Sequence, residues 1–213
     1  MKKCLIITSY IEGNLSGLIS GFDPDFILCA DGGYNHAKAA GIRPDLLIGD
    51  MDSIDTSDDP EIEKIIYPTE KDDTDTGLCL QLALDRGYRN IMIAGGLGGR
   101  LDHTISNIEL ITGKIEQADS ITIKDLHNSC TVIRNSSITL QKGISKYVSV
   151  FSMTEKSTGV YENGFKYPLV DAVLPFGSTL GTSNEIIEDE AVISVRDGIL
   201  LIVFSDETKG GQA

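Results

Sequence analysis

Up to about residue 125 the chain alternates short apolar runs with segments of helical spacing, and this alternation constrains the fold most. The runs are KCLIIT, DFILCA, DLLIGD, NIMIAGG and SITIKD. FILCA, LLIG and NIMIAGG are apolar throughout, as strands buried inside a parallel sheet are. Helical spacing is found at residues 35–40, 75–86 and 103–115. In the second, Leu78, Leu82 and Asp85 follow i, i+4, i+7, and Leu80, Ala83 and Leu84 widen the apolar stripe. Thr74 or Asp75 is placed to cap that helix and Gly87 to stop it. In the third, Ile105, Ile108 and Ile111 or Thr112 share one side. Strands alternating with helices predict an α/β domain with a mostly parallel sheet flanked by helices, over residues 1–125.

After Leu126 the texture changes to short β-like runs with turn punctuation, among them CTVIR, SITLQ, KYVSVFSM, TGVYENG and AVISVRDGILLIVFS. In the last, Asp197-Gly198 between two β-rich arms predicts a hairpin with a type I′ turn. Residues 126–209 read as an antiparallel β domain of about 80 residues, sandwich or barrel, followed by a polar tail.

Seven aspartates fall in four clusters, three of them directly after apolar runs: Asp31 in CADGG, Asp50 and Asp52 in GDMDS, Asp72, Asp73 and Asp75 in KDDTDTG, and Asp102 in GGRLDH. Ligands of open α/β sheets bind at the carboxyl ends of the strands. Side-by-side strands would therefore bring these carboxylates to one crevice. So many negative charges repel one another unless a hard cation joins them, and Mg2+ is the usual one. Carboxylates with Mg2+ at a sheet edge suit phosphoryl transfer.

Each motif also has a plainer reading. GDMDS suits an Asx-capped turn. One acid of KDDTDTG is expected as a helix cap, where the macrodipole favours it, but three exceed what capping needs. In GGLGGRLDH the glycines allow close approach to a ligand, and the helix start after them can hold an anion. The segment is not a Walker A loop, which needs G-K-[ST], and no GxGxxG follows the first strand. Arg100, a planar bidentate donor, favours a phosphate over a merely flexible turn. His36, His103 and His127 are scattered and form no catalytic pattern.

The formal net charge of −14 argues against nucleic acid or an anionic membrane as partner and suits a cationic small molecule. Cys4, Cys29, Cys79 and Cys130 are widely spaced and read as buried thiols in a reducing compartment. The N-terminal apolar run CLII is too short for a signal-peptide core, and no stretch approaches the roughly 20 apolar residues of a membrane span. A cytoplasmic protein is expected.

ADGG, GDMDSI, PTEKDDTDTG, GGLGGRLDHTISNI, GFKYPL and GTSNE occur here in the order found in bacterial thiamine pyrophosphokinases, which the chain resembles from about Asp31 to Phe204. Six motifs in order are specific where each alone is modest. The resemblance implies an N-terminal α/β domain and a C-terminal antiparallel β-sandwich. It also implies a homodimer with the active site at the subunit interface. The implied reaction moves the diphosphoryl group of ATP to the hydroxyl of thiamine, giving AMP and thiamine diphosphate. Carried over residue by residue, Asp50, Asp52, Asp72 and Asp75 hold Mg2+, and Asp31, Gly32, Gly33, Asp72, Thr74 and Arg100 face the nucleotide. Tyr167 stacks on thiamine, and Ser183 and Asn184 contact its pyrimidine ring. Some relatives carry Trp at the position of Tyr167 and many carry Phe at that of Met51.

In such a reaction Mg2+, Arg100 and Lys71 spread the charge building on the phosphates. One carboxylate, Asp75 or Asp102, accepts the hydroxyl proton, its pKa raised by its neighbours. Three other readings compete. A diphosphokinase for a pterin alcohol would not need GFKYPL and GTSN. A thiamine or nucleotide sensor would tolerate loss of the acids. A metal-dependent phosphatase would release inorganic phosphate without an acceptor.

Overall fold

The computed structural model describes residues 2–206 apart from Ser53, Asp55, Ser57, Asp58, Thr69 and Lys71. The chain divides into two compact units, 1–126 and 127–213.

In the first unit the elements are β1 (Lys3–Ile7), α1 (Leu15–Leu18), β2 (Phe26–Ala30), α2 (Gly33–Ala39), β3 (Leu46–Gly49), β4 (Glu63–Ile66), α3 (Asp75–Asp85), β5 (Asn90–Ala94), α4 (Leu101–Lys114) and β6 (Ser120–Lys124), with a 3-10 turn at Ile115–Gln117. The strands pair in parallel in the order β4-β3-β2-β1-β5-β6. Leu5, Ile6 and Ile7 of β1 are all fully buried, as a central strand covered on both faces requires. Each such side chain contributes about 1.5–3 kcal/mol of burial. From β1 the chain steps outward through β2, β3 and β4, then returns to lay β5 on the other side of β1. The order therefore reverses between β1 and β5, and the crevice beyond their carboxyl ends is where such sheets bind ligands.

The helix expected at 75–86 is α3. Thr74 is its N-cap, accepting from the Gly77 N–H at 3.1 Å, and Gly87 follows with φ +83°. The α2 and α4 helices begin two residues earlier than the spacing suggested. The buried side of α4 also differs from the expected isoleucine stripe. It runs through Asn107, Ile111 and Ile115, while Ile105 stays half exposed. Asn107 is buried because its amide donates to the Gly96 carbonyl at 2.9 Å, fastening the helix to the glycine loop. The short α1 and the strand β4 carry no strong sequence signal, since β4 is an edge strand without a fully buried residue.

The second unit contains β7 (Asn128–Arg134), β8 (Ser137–Gln141), β9 (Tyr147–Ser152), β10 (Lys156–Asn163), β11 (Leu169–Pro175), β12 (Glu190–Ser194) and β13 (Ile199–Ser205). One antiparallel ladder runs β7-β13-β9 and a second sheet runs β11-β10-β12-β8. Val148, Val150, Leu200, Ile202 and Phe204 from the first share one core with Leu140, Val160, Leu174, Ala191 and Ile193 from the second. The domain is a sandwich, not a barrel.

The hairpin expected at Asp197-Gly198 does not form. β12 pairs with β10 and β8, while β13 pairs with β7 and β9, so the two arms lie in different sheets. A type I′ turn needs positive φ at both central residues, and only Gly198 has it. The Gly198 N–H is taken by the Asn135 side chain at 2.8 Å and the Val195 N–H by the Ser136 carbonyl. These bonds carry the chain across from one sheet to the other.

Candidate functional site

Four loops leave the carboxyl ends of β1, β2, β3 and β5, and a fifth chemical group comes from the start of α3. After β2, Asp31 adopts φ +42°, a left-handed conformation that costs a non-glycine residue free energy and marks functional sites. Its N–H donates to the Ile48 carbonyl at 2.7 Å, which ties the β2 end to β3. After β3, Met51 is also left-handed, at φ +65°. This turn points Asp50 and Asp52 the same way, and the Asp52 N–H donates to Asp50 Oδ1 at 3.3 Å. One carboxylate oxygen from each of Asp31, Asp50 and Asp52 lies within 4.8 Å of the others.

The electrostatics show the strain in this arrangement. The Asp52 carboxyl is pushed above its ordinary range, first by the charge of Asp50, and also by Asp31 and Asp75. Asp75 thus belongs to the same field of negative charge. Three hard oxygen donors close together, each repelled by the others, fit a divalent cation such as Mg2+. Oxygen-only donors argue against zinc or copper.

Beside this cluster, a cavity of about 340 Å³ opens at the β1/β5 switch point. Thr8, Ser9 and Tyr10 line it from β1, Gly96 and Gly98 from the loop after β5, Thr74 and Asp75 from α3, and Arg100, His103 and Asn107 from α4. The Thr8 hydroxyl shares its one proton between the carbonyls of Ala94 and Tyr10, at 3.1 and 3.0 Å. Ser9 Oγ donates to the Ala30 carbonyl at 3.1 Å. The glycine loop is held by the Gly96 N–H donating to Tyr10 O at 3.0 Å and the Gly98 N–H to Thr104 Oγ1 at 2.9 Å. A side chain at Gly99 would strike the Tyr10 ring, with a Cβ only 2.8 Å from it. Arg100 is the N-cap residue of α4 and makes no side-chain capping bond to the helix backbone; in the first turn the His103 N–H donates to Asp102 Oδ1 at 3.0 Å.

The expected residues divide. Asp31, expected on the nucleotide side, stands in the carboxylate cluster with Asp50 and Asp52. Thr74, Asp75 and Arg100 share the cavity. Asp72 is on the exposed turn before α3 and outside the group of three, so it does not reach the cluster as placed. Asp73 folds back over Gly77 and accepts from the Thr74 N–H at 2.8 Å, a local capping role. Gly33 is explained by packing, because a Cβ there would sit 2.1 Å from the Ile7 carbonyl oxygen. Gly32 precedes α2 as its N-cap. Asp102 is gripped by Arg100 through two bonds of 3.1 and 2.6 Å. That grip lowers its proton affinity, the opposite of what a general base at this site was expected to have. Lys71 lies outside the described residues. Ser9, Tyr10 and Asn107 were not anticipated. The same rule that singled out the aspartates, polar residues directly after an apolar strand, also covers the Thr-Ser-Tyr that follows β1.

In the β unit, Tyr167 is 63% exposed, and its ring carries the Lys166 ammonium 5.6 Å from the centroid. Ser183 is exposed and left-handed at φ +59°, with its N–H donating to Ser149 Oγ at 2.9 Å. Asn184 is buried. Its Oδ1 accepts from the N–H groups of Tyr167 and Glu185 at 3.1 and 3.0 Å, and its Nδ2 donates to the Tyr167 carbonyl at 2.8 Å. The amide therefore clamps the backbone of Tyr167 on both sides instead of projecting as a free polar contact.

Comparison with known proteins agrees with both units. The model for the thiamin pyrophosphokinase catalytic domain matches residues 23–123, and that for the thiamin pyrophosphokinase vitamin B1 binding domain matches residues 135–200. The chain is 34% identical to thiamine pyrophosphokinase of Bacillus subtilis (strain 168) over 174 residues, 79% of this chain and 81% of the relative. The crystal structure of thiamine pyrophosphokinase from Bacillus subtilis superposes with a TM-score of 0.85 at 28% identity, covering 97% of this chain and 100% of that one. That of thiamin pyrophosphokinase from Geobacillus thermodenitrificans gives 0.82 at 30% identity, over 97% and 99%. By sequence and by fold, the chain belongs to the thiamine pyrophosphokinase family.

Proposed function

We propose that this protein transfers the diphosphoryl group of ATP to the hydroxyl of thiamine, releasing AMP and forming thiamine diphosphate. The observation that carries this reading is the carboxylate group Asp31, Asp50 and Asp52, with Asp75 beside it, next to a cavity whose other wall is the glycine loop and the start of α4. Mg2+ would be held by Asp31, Asp50 and Asp52, where it would neutralise phosphate oxygens and polarise the β-phosphorus. Arg100, at the cavity wall, would bind and orient the polyphosphate, and the glycines of the loop, having no side chains, let it approach the backbone. Thr74 and Asp75 line the cavity; Thr74 would face the nucleotide, and Asp75 would take the hydroxyl proton as the thiamine oxygen attacks in line and AMP departs. Tyr167 supplies the aromatic face for thiamine, a permanent cation, and Ser183 the exposed hydroxyl beside it. Asn184 holds Tyr167 in place.

The α/β unit is then the ATP-binding and Mg2+-binding catalytic domain and the sandwich the thiamine-binding domain. We propose a homodimer that completes the active site at the subunit interface. The exposed apolar side chains Tyr167, Val170, Val173 and Phe176, in and beside β11, support an interface there. A cytoplasmic location is supported by four free, buried cysteines. Among the described residues no helix is long and apolar enough to cross a membrane. The reading is tested by separating the products of protein, thiamine, ATP and Mg2+ on a column that resolves thiamine phosphates. Thiamine diphosphate formed without thiamine monophosphate is expected; thiamine bound but unchanged refutes it.

A further inference from the structure

Glu162 has no part in the scheme above, yet it is the least comfortable carboxyl in the sandwich. It lies on β10 opposite Leu169 on one side and Ile193 on the other, and only 1% of it is exposed. Two register shifts in the β10–β11 pairing precede it, between Thr158 and Val160 and between Val160 and Glu162, and Asp171 on β11 takes φ +44°; such bulges re-aim side chains. Glu162 Oε2 accepts one bond, from Asn184 Nδ2 at 3.3 Å, and Oε1 has no partner among the described residues.

The orientation of the Asn184 amide is fixed, because Tyr167 and Glu185 both present N–H donors to its oxygen. Its Nδ2 can only donate, so Oε2 of Glu162 must accept. A proton on Glu162 therefore sits on Oε1, where it meets no acceptor among the described residues, and the ionised form is a buried charge without a counter-ion among them. The charged groups on the surrounding elements are engaged elsewhere. Lys166 pairs with Glu185 at 2.7 Å, and Asp171 of β11 with Arg196 at 3.2 Å. Glu190 of β12 accepts from Gln141, Asp206 accepts from the Lys146 N–H, and Lys146 Nζ lies over the Tyr147 ring.

We propose that Glu162 is a positioning residue for thiamine: through Asn184 it sets the Tyr167 backbone, and its buried carboxyl receives in the bound thiazolium the counter-charge it lacks. The proposal rests on the reading that thiamine stacks on Tyr167. Its consequence is proton-linked binding. Burial alone pushes the Glu162 carboxyl up to about 7, against a smaller opposing effect of the Asn184 bond. A cation bound nearby favours the ionised form, so binding expels a proton and tightens as pH rises through neutrality.

The test is the KM for thiamine and kcat between pH 6 and pH 8 at saturating ATP and Mg2+, with thiamine affinity measured directly by calorimetry. In the unaltered protein the KM and Kd are expected to fall about twofold to fivefold over this range, the effect of a displacement of half to one pKa unit from about 7. Glu162→Gln keeps the bond to Asn184 but cannot ionise, so its KM should be flat while its kcat follows the same pH profile as the unaltered protein. Glu162→Leu removes the bond and should raise KM at every pH with little change in kcat. If it does not fold, Glu162→Gln decides alone. Equal pH trends in the unaltered protein and Glu162→Gln overturn the proposal and leave the activity standing. An unaltered protein that neither binds nor converts thiamine at any pH overturns both.

Discussion

Replacing Glu162 by Gln should change stability in a way that depends on pH, independently of any ligand. The carboxyl is 1% exposed, and its pKa rises from 4.5 to about 7 because burial disfavours the charge. The folded value is raised, so the stability associated with the protonated group is fully present below the unfolded pKa. It is lost progressively as pH climbs toward the folded value, because the unfolded chain ionises first. The interval of roughly 2.5 units corresponds to about 3 kcal/mol. Gln keeps the hydrogen bond from Asn184 Nδ2 and has no such linkage. Urea unfolding of the two proteins at pH 5 and pH 8, followed by circular dichroism, isolates the effect as a difference of differences. Glu162→Gln should gain about 2.5 kcal/mol relative to the unaltered protein on going from the lower pH to the higher. A stability difference that is the same at both pH values would show that the carboxyl is solvated, and the reasoning about its burial would fall.

Three further outcomes follow from the site. Asp52→Asn should reduce kcat by about a hundredfold or more while leaving the melting temperature equal or higher in metal-free buffer, since it removes repulsion from Asp50. Loss of thermal stability would mean the cluster is structural. Asp75→Asn should cost kcat about 10²–10⁴-fold, the usual contribution of a positioned proton acceptor, and more than Asp102→Asn, whose carboxyl is held by Arg100. The reverse order in steady-state kinetics would reassign the base. Gly33→Ala should destabilise by about 1–3 kcal/mol, because its methyl meets the Ile7 carbonyl oxygen, a backbone atom with no freedom to move away. A neutral effect on urea unfolding would show that β1 and α2 can separate at little cost.

The parallel sheet was legible because its strands are buried on both faces and carry unbroken apolar runs. β4 was not, because an edge strand with Glu63 and Ile66 exposed gives no such run. The capped start and glycine stop of α3 are local chemistry and were readable as such. The buried side of α4 was not, since what buries Asn107 is a bond to a loop eleven residues away in sequence. The Asp197-Gly198 turn misled for a related reason: the local signal for a hairpin was overruled by side-chain and backbone partners at Asn135 and Ser136. In the site, aspartates placed at strand ends could be expected to converge, yet the members of the cluster depend on which loop turns inward. The left-handed Asp31 and Met51 bring Asp31, Asp50 and Asp52 together, whereas the capped start of α3 leaves Asp72 outside. Glu162 lay unread in a strand because alternation marks it as inward-facing only once the two register shifts before it are known.

The central claim is diphosphoryl transfer, and phosphorus NMR of the protein with ATP, Mg2+ and thiamine tests it most directly. AMP and thiamine diphosphate should appear together in equal amounts, and only when thiamine is present. ADP with thiamine monophosphate would mean attack at the γ-phosphorus, and inorganic phosphate without thiamine would mean hydrolysis; either would contradict the account.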